Sequence, residues 1–218
     1  MKIIVVACDH YADAAPAWVY LWRTYWSGCD YEAVFVANKR KLAVDLPVVY
    51  LRGNDINFGW RLRTYLREHY TDEHLLIHMV DYFIQGAEVE TIRQAHQLCA
   101  LPGVRHVRLR PMPPPPFPYP ADGFGRIDKS RRYSLSLQPG IWRTETLYKL
   151  LRDGENPWVT EIQGSLRVPR MRGEFLSVDH YALPHLNYYH KGAAKGLEWV
   201  CEHVPADKWP DAVKERFG

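Results

Sequence analysis

The sequence predicts an α/β fold, a mostly parallel central sheet flanked by helices on both faces. Three observations lead there. The apolar runs of the first half, such as KIIVVA at 2–7 and HLLIHMV at 74–80, are unbroken rather than alternating, as in strands buried on both faces. Segments with helical spacing separate those runs. A chain of 218 residues, 47% hydrophobic, can build one sizeable core but not comfortably two, so a single domain over 1–218 is expected.

KIIVVA reads as the first strand. It is far too short to span a membrane, and it leads into CDHYAD rather than a small-residue cleavage site, so neither a transmembrane segment nor a leader is expected. After Pro16, Trp18, Leu21, Trp22 and Tyr25 fall at helical spacing. AVFVAN (33–38) and PVVYL (47–51) are two more strands, and a helix follows from about Trp60 to Tyr70 with Leu62, Tyr65 and Leu66 on its apolar side. HLLIHMV is the fourth strand, Ala87 to Leu98 a helix, and VRHVRLR (104–110) a less clearly patterned strand. RPMPPPPFPYPADGFG then holds seven prolines before Ala121. Fixed φ and missing N–H groups predict an extended loop there, neither helix nor strand. RYSLSLQPGIW predicts a strand ending at Pro139, and TETLYKLLRDG a helix capped by Thr144 and closed by Gly154. A short helical patch around Leu197 to Val200 precedes a polar end.

The formal charge of +3 and pI near 8.6 permit an anionic ligand without demanding a nucleic acid. Cys8, Cys29, Cys99 and Cys201 form no CxxC pair, which argues against a disulfide framework or zinc knuckle and favours a reducing, cytoplasmic setting. The 8 Trp, 14 Tyr and 7 Phe, several beside polar residues, suit sugar and base stacking as well as ordinary packing.

Parallel sheets bind ligands beyond the carboxyl ends of their strands. That rule selects Asp9, His10 and Tyr11 after the first strand, Asn54 and Asp55 after the third, and Asp81 after the fourth. A carboxylate ending a buried strand is costly unless something pairs with it. Asp9 and Asp55 have an alternative use, as caps of turns.

The acidic strand end followed by Tyr82-Phe83, with YSLSLQPGIWRTETLYKLLRDGENPWVTEIQGS downstream, resembles bacterial and phage glycosyltransferase-like proteins of the GT-A fold over roughly residues 1 to 170. The resemblance implies a Rossmann-like, nucleotide-binding half at 1–110, an acceptor and catalytic half at 111–190 with its proline-rich loop at 111–120, and a tail at 191–218. It implies a nucleotide-sugar donor held by Asp9, Tyr11, Asn54, Asp55, Arg61, Arg63 and Asp81. It also implies Mn2+ or Mg2+ at Asp81, neutralising the departing nucleoside diphosphate. Where relatives carry two adjacent carboxylates this chain has Val80 then Asp81, so either His190 completes the metal site or cations such as Arg61, Arg63 or Lys191 take the diphosphate. Glu161 is the expected general base of an inverting transfer, with Glu155 as runner-up in the position of a solvent-facing helix-end charge. Gln138, Trp142 and Trp158 are candidates for acceptor or sugar contacts. The acceptor is a glycan, a small molecule or, for a phage enzyme, a modified DNA base, whose backbone would run along Arg105, Arg108, Arg110, Lys129, Arg131 and Arg132. A non-catalytic binding module of the same fold is the alternative.

Overall fold

The structure is a computed structural model that describes residues 1–190 and 193–218, and for His190 the backbone only. The first half lays down β1 (Lys2–Val6), α1 (Ala15–Tyr25), β2 (Ala33–Ala37), β3 (Val48–Tyr50), α2 (Phe58–Glu68) and β4 (His74–Met79). Then come β5 (Tyr82–Ile84), α3 (Val89–Ala100) and β6 (Val104–Arg108). The second half adds β7 (Phe117–Pro118), β8 (Phe124–Arg126), β9 (Gly140–Arg143), α4 (Thr144–Leu150), α5 (Pro157–Arg167) and β10 (Glu174–Val178). It ends with β11 (His185–Asn187), β12 (Tyr189–His190), β13 (Ala193–Ala194), α6 (Leu197–His203) and α7 (Asp211–Phe217).

Nine strands form the central sheet in the order β3-β2-β1-β4-β9-β6-β10-β8-β7. Only β9 and β8 run against the rest. Val6 of β1 sits in register with Val36 of β2 and Met79 of β4, so the segments that leave these strands emerge side by side. Alternation within the buried strands feeds two cores. Ile3, Val5 and Phe35 face α1 and α3, while Ile4, Val6 and Ile77 join the apolar residues of α2 and α4. Outside the main sheet, β11 pairs antiparallel with β5 and holds that short strand just beyond the end of β4.

Several local expectations are corrected. The segment before β9 is no strand: residues 129–139 form turns and the strand begins after Pro139. The amides there have other partners, since Leu135 N donates to Ser165 Oγ (3.2 Å) and Leu137 N to a Glu161 carboxylate oxygen (2.7 Å), both on α5. The proline-rich segment does contribute a strand, β7, at the sheet edge, where a proline removes no ladder bond. Thr144 does not cap α4 but donates to Asp72 O (2.7 Å), and α4 ends at Leu150, before Gly154. The second helix begins at Phe58 behind an Asn57 cap, and the polar end of the chain is helical as α7.

Helix α5 has no counterpart in the sequence prediction for a physical reason. Its start is an ordinary one, with Asn156 capping Val159 N and Pro157 in the first turn. Its apolar residues Trp158, Val159, Ile162 and Leu166, however, face outward. The buried side is Thr160, Gly164 and Ser165, and a Cβ on Gly164 would come within 2.6 Å of Leu135. Gly59 serves the same purpose on α2, where a Cβ would lie 1.9 Å from Arg152 O.

Candidate functional site

The ends of β1, β4 and β6 and the start of β9 share one rim of the sheet. Beside β1 and β4 lies a cavity of about 190 Å³, lined by Cys8, Tyr11, Asp55, Arg61, Asp81 and Trp158 among others. Asp9 is committed elsewhere. Its carboxylate accepts the amides of Lys39 (2.8 Å) and Arg40 (2.7 Å) and the Asn38 side chain (2.8 Å). Burial alone would raise its proton affinity, but these hydrogen bonds outweigh it and hold the carboxyl below the ordinary range. Asp55 accepts the Asp9 amide (2.9 Å) and pairs with buried Arg61 at 3.1 Å, and Arg61 also donates to Ala7 O and Asp55 O. Together they brace the loops after the first three strands, with Asp55 and Arg61 also on the cavity wall. Tyr11 stacks on Tyr189, ring centroids 4.1 Å apart.

Asp81 is different. It is 7% exposed, and among the described residues no side chain pairs with its carboxylate. Burial pushes the carboxyl up to about 7, with only its own backbone N–H opposing. Cys8 beside it is a half-buried, neutral thiol, pushed by desolvation up to about 11.

A larger cavity of about 620 Å³ lies further along the rim, lined by Arg110, Arg131, Arg132, Ser136, Gln138 and Glu161 among others. Glu161 projects from α5, and its Oε1 accepts Leu137 N (2.7 Å) and Ser136 Oγ (3.0 Å). Its Oε2 has no partner among the described residues. Burial raises its proton affinity, opposed by the two hydrogen bonds and the charge of Arg108. Gln138 accepts from Arg110 Nη1 (2.8 Å) and donates to Tyr82 OH (3.4 Å). Tyr82 directly follows Asp81, so one short chain of contacts joins the two cavities. His185 stacks on Tyr82 at 4.7 Å, and its Nδ1–H donates to Leu183 O (3.1 Å), leaving Nε2 to accept from Arg110 (3.0 Å). Burial, with the neighbouring His78 and Arg110, lowers the imidazole to about 3, so it stays neutral.

Behind the larger cavity, buried Arg108 donates to Met112 O (2.7 Å), Pro113 O (3.3 Å) and Tyr133 O (2.8 Å), tying the proline-rich segment to the turn before β9. Burial lowers it to about 10, which leaves it charged. The sequence signal for this staple is an arginine at an inward position of an apolar strand, next to inward His106.

No protein-family model and no curated protein matches the sequence. Among solved structures, the chain is similar to S. aureus TarS 1–349 (TM-score 0.55, 15% identity, 84% of this chain and 59% of that one). It is similar to the mannosyltransferase PcManGT from Pyrobaculum calidifontis in complex with GDP-Man and Mn2+ (TM-score 0.54, 16% identity, 91% and 59%). It is also similar to an apo-UDP-glucose pyrophosphorylase (TM-score 0.53, 7% identity, 86% and 93%). The fold is of the GT-A glycosyltransferase type. The chain spans 59% of the length of the first two, and a fold shared with a pyrophosphorylase leaves the chemistry to the site itself.

The described residues do not fit a divalent metal on their own. Among them no group of three or more His, Cys, Asp or Glu is placed to hold one, and Val80, in place of the second carboxylate, is buried. Asp81 is a ligand-type group without companions, whereas Mg2+ and Mn2+ ask for octahedral oxygen sets. The side chain of His190, and Lys191 entirely, lie outside the described residues.

Other candidates fall elsewhere. Trp142 is fully buried, stacked on His106 at 3.6 Å in the core, and cannot touch a sugar. Trp158, 62% exposed, lines the smaller cavity with Asp81 and not the larger one that Glu161 lines. Glu155 is no solvent charge but a buried partner of Arg167 (2.7 and 2.8 Å). Arg63 turns away to Asp153 (2.9 Å), and Asn54 is exposed in a turn, accepting Ile56 N (3.2 Å). The six basic residues considered for DNA form no track: Arg105 bonds Arg172 O, Arg108 is buried, and Lys129 bonds Met171 O and Gly173 O.

Proposed function

We propose that the chain transfers a glycosyl group from a nucleotide-sugar donor to an acceptor hydroxyl, with Glu161 as general base. One observation carries this reading: a carboxylate on the sheet rim with one oxygen anchored and the other without a partner among the described residues at a 620 Å³ cavity, on the same rim as a second cavity holding Asp81, which no described side chain pairs. The donor occupies the smaller cavity, with Tyr11 and Trp158 offering aromatic faces, and the acceptor occupies the larger. The acceptor oxygen bonds to the anomeric carbon as the bond to the nucleoside diphosphate breaks, and its proton passes to Glu161 Oε2. Attack from the side opposite the leaving group inverts the configuration. Ser136 and the Leu137 amide hold the carboxylate in place, and burial raises its proton affinity, which favours its taking the acceptor's proton. Gln138, on the wall of the larger cavity, donates to the hydroxyl of Tyr82, the residue after Asp81, and so links the two sides of the site.

Glu161→Gln tests this reading. The amide keeps the shape but not the basicity, so kcat should fall by about 10² to 10⁴ while donor binding and Tm hold. The released product distinguishes the chemistry, since glycosyl transfer frees a nucleoside diphosphate and pyrophosphorolysis consumes pyrophosphate. Turnover within a few-fold of the parent, or a product retaining the donor's anomeric configuration, would remove Glu161 as the base. Donor binding without turnover onto any acceptor would favour the binding-module alternative.

A further inference from the structure

We infer that the acceptor carries an oxyanion, a phosphate or a carboxylate, held by Arg110, Arg131 and Arg132 in the Glu161 cavity. This rests on the assignment of that cavity to the acceptor. Three guanidinium groups line the cavity against one carboxylate, Glu161. Arg110 is positioned by neutral partners, Gln138 Oε1 at 2.8 Å and His185 Nε2 at 3.0 Å, and lies over the Tyr181 ring at 5.4 Å. Its buried Nε has no hydrogen-bond partner. Among the described residues neither Arg110 nor Arg132 has a carboxylate within ion-pair distance, and Arg132 lies over Tyr133 at 5.2 Å. Arg131 shares its charge with Asp128 at 3.3 Å.

Arg108 adds a further positive charge from behind. All three of its hydrogen bonds go to backbone carbonyls, and Glu161, which already faces the three cavity arginines, is the one acid among the described residues whose charge it feels. Buried Arg108 and half-buried Arg110 repel one another with little solvent between them, exposed Arg131 and Arg132 add charge at the mouth, and a neutral sugar would leave that repulsion in place. An oxyanion relieves it, and guanidinium forks match phosphate and carboxylate geometry in two-point contacts. The charge then serves selection as well as affinity. An acceptor anchored by its anionic group presents a nearby hydroxyl to Glu161.

Direct binding to the intact chain tests the inference without requiring turnover. Glucose 6-phosphate, glucuronate and glucose are titrated by calorimetry, in parallel with UDP and GDP, on the parent and on the Arg131→Gln/Arg132→Gln double variant. Both arginines are exposed, so the variant is expected to fold, and its melting curve checks that. At least one of the anionic sugars should bind about tenfold or more tightly than glucose, and the preference should weaken with added salt. The double variant should lose that preference while binding nucleoside diphosphates as the parent does. A stronger response to glucose 6-phosphate than to glucuronate assigns phosphate, and the reverse assigns carboxylate. Equal binding of all three sugars, or an anion preference untouched in the variant, would overturn the inference. Loss of nucleotide binding in the variant would also overturn it, by moving the arginines to the donor. Failure of nucleotide binding in the parent would count against the proposed function alone.

Discussion

Replacing Asp81 by asparagine separates stability from binding in a way no other residue here allows. The carboxyl is 7% exposed, lacks a side-chain partner among the described residues, and is pushed by burial up to about 7 from a reference of 3.8. Below about pH 4 it is protonated in both folded and unfolded chains and costs nothing. As pH rises toward 7 the unfolded chain releases the proton while the folded one keeps it, so stability falls through this window and levels off above it. A gap of about three units, at about 1.36 kcal/mol each, amounts to about 4 kcal/mol. For a chain of this size each kcal/mol moves Tm by about 2 to 4 °C, so the effect is on the order of 10 °C. Asparagine has nearly the same shape and never ionises. Asp81→Asn should therefore melt on the order of 10 °C above the parent at pH 8, match it near pH 4, and bind the nucleotide sugar more weakly. Melting curves of both proteins across pH 4 to 8, with donor titrations at pH 8, measure all three. Parallel Tm–pH curves for the two proteins would refute the buried, unpaired carboxylate, and unchanged donor affinity would remove Asp81 from the site.

Two further sets of substitutions probe the larger cavity and the aromatic candidates. Ser136→Ala removes a hydrogen bond that favours ionised Glu161. The acid limb of the kcat/KM pH profile should move to higher pH with little change in Tm, and an unmoved limb would detach Glu161 from the rate. Trp142→Ala should cost about 3 to 5 kcal/mol in denaturant unfolding, as a fully buried aromatic does. Trp158→Ala should leave stability within about 0.5 kcal/mol while weakening the donor, so equal destabilisation by both would contradict their burial.

The parts of the fold legible in the sequence are those where burial and periodicity agree. KIIVVA, AVFVA and HLLIHM are apolar on both faces because both faces of the sheet are covered, and their strands fall where the runs do. Helix α5 defeats the same logic because its largest apolar side chains point outward and its packing face is threonine, glycine and serine. The stretch before β9 alternates like a strand, yet its amides are taken by Ser165 and Glu161 from a helix too distant in sequence for any local pattern to announce. Trp142 illustrates a further ambiguity. An aromatic flanked by a proline-glycine turn reads equally as a stacking platform or an anchor, and only the position of His106 against its ring decides for the anchor.

For the site, composition and position nominate carboxylates but pairing decides among them. Asp9 and Asp55 sit at strand ends as Asp81 does, but the first is occupied by three N–H donors and the second by the Asp9 amide, Asn38 and Arg61. Glu155 and Glu161 flank the start of α5, and one is spent in a two-point ion pair with Arg167 while the other keeps an oxygen for the cavity. Sequence spacing cannot make that distinction, because Arg167 lies at the far end of α5 and Leu137 on another segment altogether. A carboxylate already satisfied by the protein gains little from a ligand, whereas one left buried and unsatisfied is destabilising until a ligand, proton or cation meets it. By that criterion Asp81, and Glu161 at its second oxygen, are the acidic groups on the rim that the described residues leave for something else to complete, and burial raises the proton affinity of both.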